Sequence, residues 1–194
     1  MSDGRYAAYY RERNRMAAVR DFRPHYTYED YKHWEGRWEI IDGEAYAMSP
    51  APMPKHQSIS AKIATQLTMA LEACQECEAY LPIDWHVAED TILQPDNLVL
   101  CYKPTGSYIT KAPSLIFEVT SPSTAAKDEH LKFDIYEREG VLYYVLVYPD
   151  EKLAKVYRLN SEGRYAKALD ATDETFTFDL KKCRIDFDFS KMWS

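Results

Sequence analysis

The sequence predicts an α/β domain built on a mixed β-sheet flanked by helices, and three observations lead there. From His56 to about Glu76, apolar residues fall at Ile59, Ile63, Leu67, Ala70, Leu71 and Cys74, the three- and four-residue spacing of a helix with one buried face. Residues 115–120 form a short, nearly all-apolar run, as in a strand covered on both faces. A second helical segment and further strand-like runs follow it. The 194 residues suffice for one domain with a small appendage, and the boundaries expected are an Arg-rich arm or helix over 1–25 and a single domain over 26–194.

In chain order, Thr27-Tyr28-Glu29-Asp30 approximates a capping box, with Asp30 in place of the usual Glu, and opens a short helix to about His33. Asp42-Gly43 between Trp38-Glu39-Ile40-Ile41 and Glu44-Ala45-Tyr46-Ala47-Met48 is the strongest short-range signal for a β-hairpin. A two-residue turn sets Ile41 opposite Glu44 and Glu39 opposite Tyr46, so two carboxylates share one face of the hairpin. The Pro-rich residues 49–54 form a loop before the long helix. Strands are expected over 81–87, 91–93, 96–102 and 115–120. Ser121-Pro122-Ser123-Thr124 caps a helix over 125–139 that Gly140 stops. Strands over 142–148 and 153–159 follow, and alternation over 175–178 and 184–189 marks edge strands.

Composition narrows the functional classes. With 46% hydrophobic and 28% charged residues, only 6 Gly, and 16 Tyr to fill a core, the chain is globular rather than disordered or fibrous. The net charge of −7 weighs against gripping nucleic acid by bulk electrostatics. It is unevenly spread, however. Residues 1–23 carry Arg5, Arg11, Arg13, Arg15, Arg20 and Arg23 against Asp3, Glu12 and Asp21, a local +3 over a body of −10. That leader lacks the apolar segment of a secretory signal, and no run approaches the roughly 18 apolar residues of a membrane span, so a cytoplasmic protein without membrane contact is expected. No Gly-rich phosphate cradle and no nucleophile elbow occurs. The four cysteines are too few for a disulfide framework at this length. Cys74-Gln75-Glu76-Cys77, without a second such pair or flanking histidines, reads as small helix residues rather than a zinc or redox motif.

Three charged residues stand out. Glu118 lies inside the apolar run Leu115-Ile116-Phe117-Glu118-Val119-Thr120, where an ionised carboxylate is costly unless paired, hydrogen-bonded or bound to a cation. Asp96 follows Pro95 at the start of another strand, a common turn position when taken alone. Lys132 shares an i, i+4, i+8 stripe with Asp128 and Tyr136, ordinarily a solvated pair. Together they form a coherent set. Two carboxylates from neighbouring strands can hold a hard divalent cation, and a nearby Lys can orient water or offset phosphate charge, which suits metal-assisted phosphodiester hydrolysis.

This set resembles the PD-(D/E)xK nuclease superfamily and, more narrowly, the Uma family of endonuclease-like proteins abundant in cyanobacteria. The resemblance runs through Trp38-Glu39-Ile40-Ile41-Asp42-Gly43-Glu44, Ser49-Pro50, His56, Gln94-Pro95-Asp96 and residues 113–124, then Asp128, Lys132, Tyr136 and the strand after Gly140, about residues 27–160. It implies a restriction-endonuclease-like mixed sheet flanked by helices, with Asp96 and Glu118 as ligands of Mg²⁺ or Mn²⁺. It also implies cleavage of nucleic acid, DNA in the first instance, by a protein that dimerises. Thr120 stands where the motif has its Lys, and Lys132 reaches back from the helix in its place. Glu39 and Glu44 are candidates to complete the site, and His56 to contact substrate. The alternative is a catalytically silent nuclease fold acting as a binding or interaction module, which Thr120 and the acidic body favour.

Overall fold

The computed structural model describes residues 24–48 and 53–193; residues 1–23 of the Arg-rich arm, and Ser49-Pro50 with the rest of loop 49–52, lie outside them. Chain order gives α1 (Tyr28–Tyr31), β1 (Trp38–Ile41), β2 (Glu44–Ala47), α2 (Pro54–Leu71), β3 (Glu78–Tyr80), β4 (Trp85–Ala88), β5 (Thr91–Leu93), β6 (Asn97–Leu100) and β7 (Leu115–Val119). A π-helical turn (Lys127–Lys132) then runs into α3 (Phe133–Arg138), followed by β8 (Tyr143–Tyr148), β9 (Leu153–Leu159), β10 (Tyr165–Ala171), β11 (Thr175–Asp179), β12 (Arg184–Asp188) and α4 (Ser190–Trp193).

The central sheet has the order β10-β9-β8-β7-β6-β3, and β7 with β8 is its one parallel pair, bridged by the π turn and α3. A smaller sheet, β2-β1-β5-β4, and the β11-β12 hairpin complete the described strands. Every residue of β7 and β8 is buried, because each face of the sheet is covered. Alternation sends Leu115, Phe117, Val119, Tyr143, Val145 and Val147 to one side, under α2 and the β11-β12 hairpin. On that side α2 buries Ile59, Ile63, Leu67 and Leu71, the stripe its spacing predicts. Ile116, Tyr144, Leu146 and Tyr148 point to the other side, into a second core shared with Ile135 and Tyr136 of α3. Glu118, in phase with Ile116, therefore faces the helix that carries Lys132.

The Asp42-Gly43 hairpin forms in the expected register, Glu39 opposite Tyr46 and Ile41 opposite Glu44, with φ of 49° and 79° at its two turn residues. Thr27 and Asp30 cap α1, the Thr27 N–H donating to the Asp30 carboxylate at 2.9 Å.

Four expectations change. The strand expected over 81–87 starts only at Trp85, as β4; residues 81–84 form a bend at Pro82, which cannot donate to a ladder, and a separate strand, β3, precedes them. Strand β10, absent from the sequence reading, continues the sheet beyond β9, with a bulge between Lys167 and Leu169 that breaks its alternation. The helix after Ser121 contains a π-helical turn. Finally, the cysteines are not unrelated helix residues: the fold brings Cys74 beside Cys183 and Cys77 beside Cys101, at Cα separations of 6.1 and 3.9 Å. The 109 and 24 residues between the partners conceal this in the sequence.

Candidate active site

Ladder register brings the two key carboxylates together. β6 and β7 are antiparallel with Asn97 opposite Phe117, so one step further Asp96 lies opposite Glu118. The Asp96 N–H points at Glu118 Oε2 across 3.4 Å, and the Val119 N–H donates to Asp96 Oδ2 at 2.9 Å. His56, in the first turn of α2, places Nε2 3.0 Å from the same Oδ2. Beside it, Ser60 Oγ donates to Asn97 Oδ1 at 2.9 Å, locking the helix to the start of β6.

Below Glu118 lies a buried charge network. Lys132 Nζ is 2.9 Å from Glu118 Oε1, 2.8 Å from Glu39 Oε1 and 3.7 Å from Asp128 Oδ1. The Tyr136 hydroxyl donates to Glu118 Oε1 at 2.7 Å. Glu39, with no solvent exposure, also accepts the Gln94 N–H at 2.9 Å and meets Lys127 Nζ at 2.5 Å. Both strong donors to Glu118 converge on Oε1, so its other oxygen is the one turned to Asp96. The π turn explains how one short segment supplies three of these groups. Its wider winding carries Lys127, Asp128 and Lys132 inward together, and such turns recur at functional sites.

The electrostatics are uneven across this network. Burial pushes Glu118 up to about 8; Lys132 opposes the rise, while Asp96, Asp128 and Glu39 add to it. Burial likewise raises Asp128 against the pull of Lys132 and Lys127. Burial also acts upward on Glu39, but Lys132 and Lys127 outweigh it and hold that carboxyl below its usual value. Lys132, which burial alone would lower, is carried well above its ordinary range by Glu118, Glu39 and Asp128. It stays the cation of the cluster. For His56 burial acts downward, and the bond to Asp96 wins, raising it; its Nδ1 is buried with no partner among the described residues.

Counting Glu39, Asp96, Glu118 and Asp128 against Lys127 and Lys132, the cluster holds four carboxylates and two ammonium groups. Two adjacent carboxylates of hard oxygen donors in a site with surplus negative charge fit a divalent cation of the Mg²⁺ or Mn²⁺ kind.

Of the residues singled out in the sequence, the structure brings together Asp96, Glu118, Lys132, Glu39 and His56. Glu44 sits at the rim of this network, next to Tyr46, whose ring centroid is 5.5 Å from Lys127 Nζ. At the end of the hairpin turn on an outer strand, Glu44 is exposed and accepts the Tyr46 hydroxyl at 3.2 Å. Thr120, at the position of the motif Lys, is buried and donates its hydroxyl to the Val147 carbonyl at 3.0 Å. Lys127 and Asn97 went unnoticed in the sequence. Lys127 looks like a solvated helix residue until the π turn rotates it inward, whereas Asn97 could have been noticed as a polar residue opening an apolar strand.

The sheet order and its carboxylate-bearing ladder define a nuclease-like α/β fold. A crystal structure from Anabaena variabilis, described as "a putative nuclease belonging to DUF820", has this fold: its TM-score is 0.70 at 16% identity over 87% of this chain and 97% of that one. The Uma2 family, described as "Putative restriction endonuclease", matches residues 27–178, and the chain belongs to it. The "Uncharacterized protein slr1290" of Synechocystis sp. is 31% identical over 150 residues, 72% of this chain and 77% of that protein.

Proposed function

We propose that the protein is a divalent-metal-dependent endonuclease acting on DNA. The observation that carries the reading is Asp96 set opposite Glu118 at the end of β6 and β7, in a cluster with surplus negative charge and a buried lysine beneath it. Asp96 and Glu118 would hold the cation. When bound, such an ion lowers the pKa of a water and neutralises charge on a scissile phosphate. The chain's own groups hold those ligands in place. His56 and the Val119 N–H fix the Asp96 carboxylate, while Lys132 and Tyr136 fix Oε1 of Glu118. Lys132 is 3% exposed and surrounded by three carboxylates, so it acts through Glu118 as a positioning residue. Glu39 completes the network by holding Lys132 and Lys127. The Arg-rich leader brings in the nucleic acid that the acidic body repels, and two copies pair for cleavage of both strands of a duplex.

Plasmid cleavage with Mg²⁺ or Mn²⁺ tests this. Asp96→Ala and Glu118→Ala are expected to lower the rate by about 100-fold or more, corresponding to the several kcal/mol a metal ion supplies at a phosphoryl oxygen. Equal trace activity in wild type and both variants would sink the proposal in favour of the interaction module, the reading that the backbone-bonded Thr120 favours.

A further inference from the structure

The four cysteines gather at the opposite end of the elements that build the candidate active site. Cys74 and Cys77 flank the turn between α2 and β3, Cys101 directly follows β6, and Cys183 closes the tight turn between β11 and β12. Glu78 pairs with Leu100, so Cys77 and Cys101 face each other one step beyond that pair. Sulfurs of different pairs are also neighbours: those of Cys74, Cys77 and Cys183 lie within 4.8 Å of one another. Cys77, Cys101 and Cys183 are buried, and Cys74 is half-buried.

We propose that Cys74, Cys77, Cys101 and Cys183 are the four thiolate ligands of one structural zinc ion. Two independent disulfides have no reason to share a single locus, whereas a four-coordinate ion requires it. With Zn–S bonds of about 2.3 Å, the edge of a tetrahedral thiolate site is about 3.8 Å, which fits inside the 4.8 Å that contains the Cys74, Cys77 and Cys183 sulfurs, and Cys101 joins them through its place opposite Cys77. Cys-x-x-Cys is the usual spacing for one half of such a site, and the fold supplies the other half from two distant segments. Soft sulfur donors select zinc over the hard cation suited to Asp96 and Glu118. Four thiolates around Zn²⁺ leave two negative charges. Lys182, beside Cys183, donates its ammonium to the Cys101 carbonyl at 3.0 Å and places positive charge at this spot.

The position gives the ion its purpose. α2 begins near His56 and ends before Cys74, while β6 begins after Asp96 and ends before Cys101. The His56–Asp96 contact ties the two elements at one end, and the zinc ties them at the other while anchoring the β11-β12 hairpin.

The full chain, purified without chelator, should contain about one zinc by mass-spectrometric metal analysis. Denaturation in EDTA should then expose all four thiols. Cobalt substitution should give the intense charge-transfer bands of tetrahedral thiolate coordination. Cys183→Ser should lower bound zinc at least tenfold, while Asp96→Ala combined with Glu118→Ala should leave it unchanged. A chain without zinc whose non-reduced mass is four hydrogens short would establish two disulfides and overturn the proposal. So would zinc that survives Cys183→Ser or is lost with the carboxylates. Should Cys183→Ser fail to fold, the cobalt spectrum of the wild type decides, and absence of the thiolate bands overturns the site. The result is independent of whether the protein cleaves DNA.

Discussion

At the residue scale, Glu118 and Lys132 depend on each other. A carboxylate inside an apolar strand persists because Lys132 and Tyr136 meet one of its oxygens, and the buried lysine persists because Glu39, Glu118 and Asp128 surround it. Removing the cation leaves three carboxylates uncompensated in a buried site. Lys132→Ala should therefore destabilise the fold by about 3–5 kcal/mol, the cost typical of breaking a buried ion pair from one side. Urea unfolding followed by circular dichroism measures it, and a loss below about 1 kcal/mol would show that the cluster is hydrated and the pairing weak. Asp96 and Glu118 were legible in the sequence because each breaks a local rule, one opening a strand after Pro95 and the other charging an apolar run. Glu39 was half legible. The hairpin register gave its face, but its burial depends on Lys127 and Lys132, which reach it across 88 and 93 residues of sequence. Glu44 shares that face yet is exposed, since a position beside the turn of an outer strand lies open to water.

At the element scale, the parts with strong local signals are those the sequence displayed: α2 through its apolar stripe, the Asp42-Gly43 hairpin through its turn chemistry, β7 and β8 through continuous apolar runs. Elements defined by tertiary context were hidden. β10 is mostly exposed and interrupted by a bulge, so it lacks both alternation and an apolar run. The π turn is invisible because residues spaced for an α-helix give no sign that the winding will loosen. Two predictions belong to elements. Gly43 sits at φ 79°, and a Cβ there would collide with the His25 ring. Gly43→Ala should thus cost at least about 1–2 kcal/mol, the ordinary penalty for a side chain in the left-handed region, visible as a lower thermal midpoint; an unchanged midpoint would mean the turn is not held in this conformation. In β12, fully buried Phe187 packs against Phe117, Phe178 and Phe189 with ring centroids 5.1, 6.4 and 5.0 Å away. Phe187→Ala should cost about 3–5 kcal/mol through the cavity left behind. Chemical denaturation checks this, and a loss under about 1 kcal/mol would show that the hairpin contributes little to the core.

For the whole molecule, the acidic balance takes on a location. By formal count the buried cluster sets four carboxylates against two lysines, part of the net −7, and the proton that burial favours on Glu118 offsets some of that surplus while no cation is bound. Folding brings these like charges together without water to screen them, so the metal-free protein holds an unfavourable electrostatic term that a divalent cation removes. An ion that binds the folded state alone stabilises it by RT ln(1 + [L]/Kd), about 2.7 kcal/mol at a hundredfold excess over Kd. For a chain of this size each kcal/mol moves the thermal midpoint by about 2–4 °C, so saturating Mg²⁺ or Mn²⁺ should raise it by about 5–10 °C. Asp96→Ala and Glu118→Ala should abolish that rise while leaving the small, general effect of ionic strength. Glu118→Gln should raise the metal-free midpoint above about pH 5, because it removes a carboxyl whose ionisation the fold opposes and keeps the shape of the side chain. A midpoint indifferent to Mg²⁺ and Mn²⁺, or a rise that persists in both alanine variants, would show that the surplus charge is neutralised by some other means and that Asp96 and Glu118 are not the ligands.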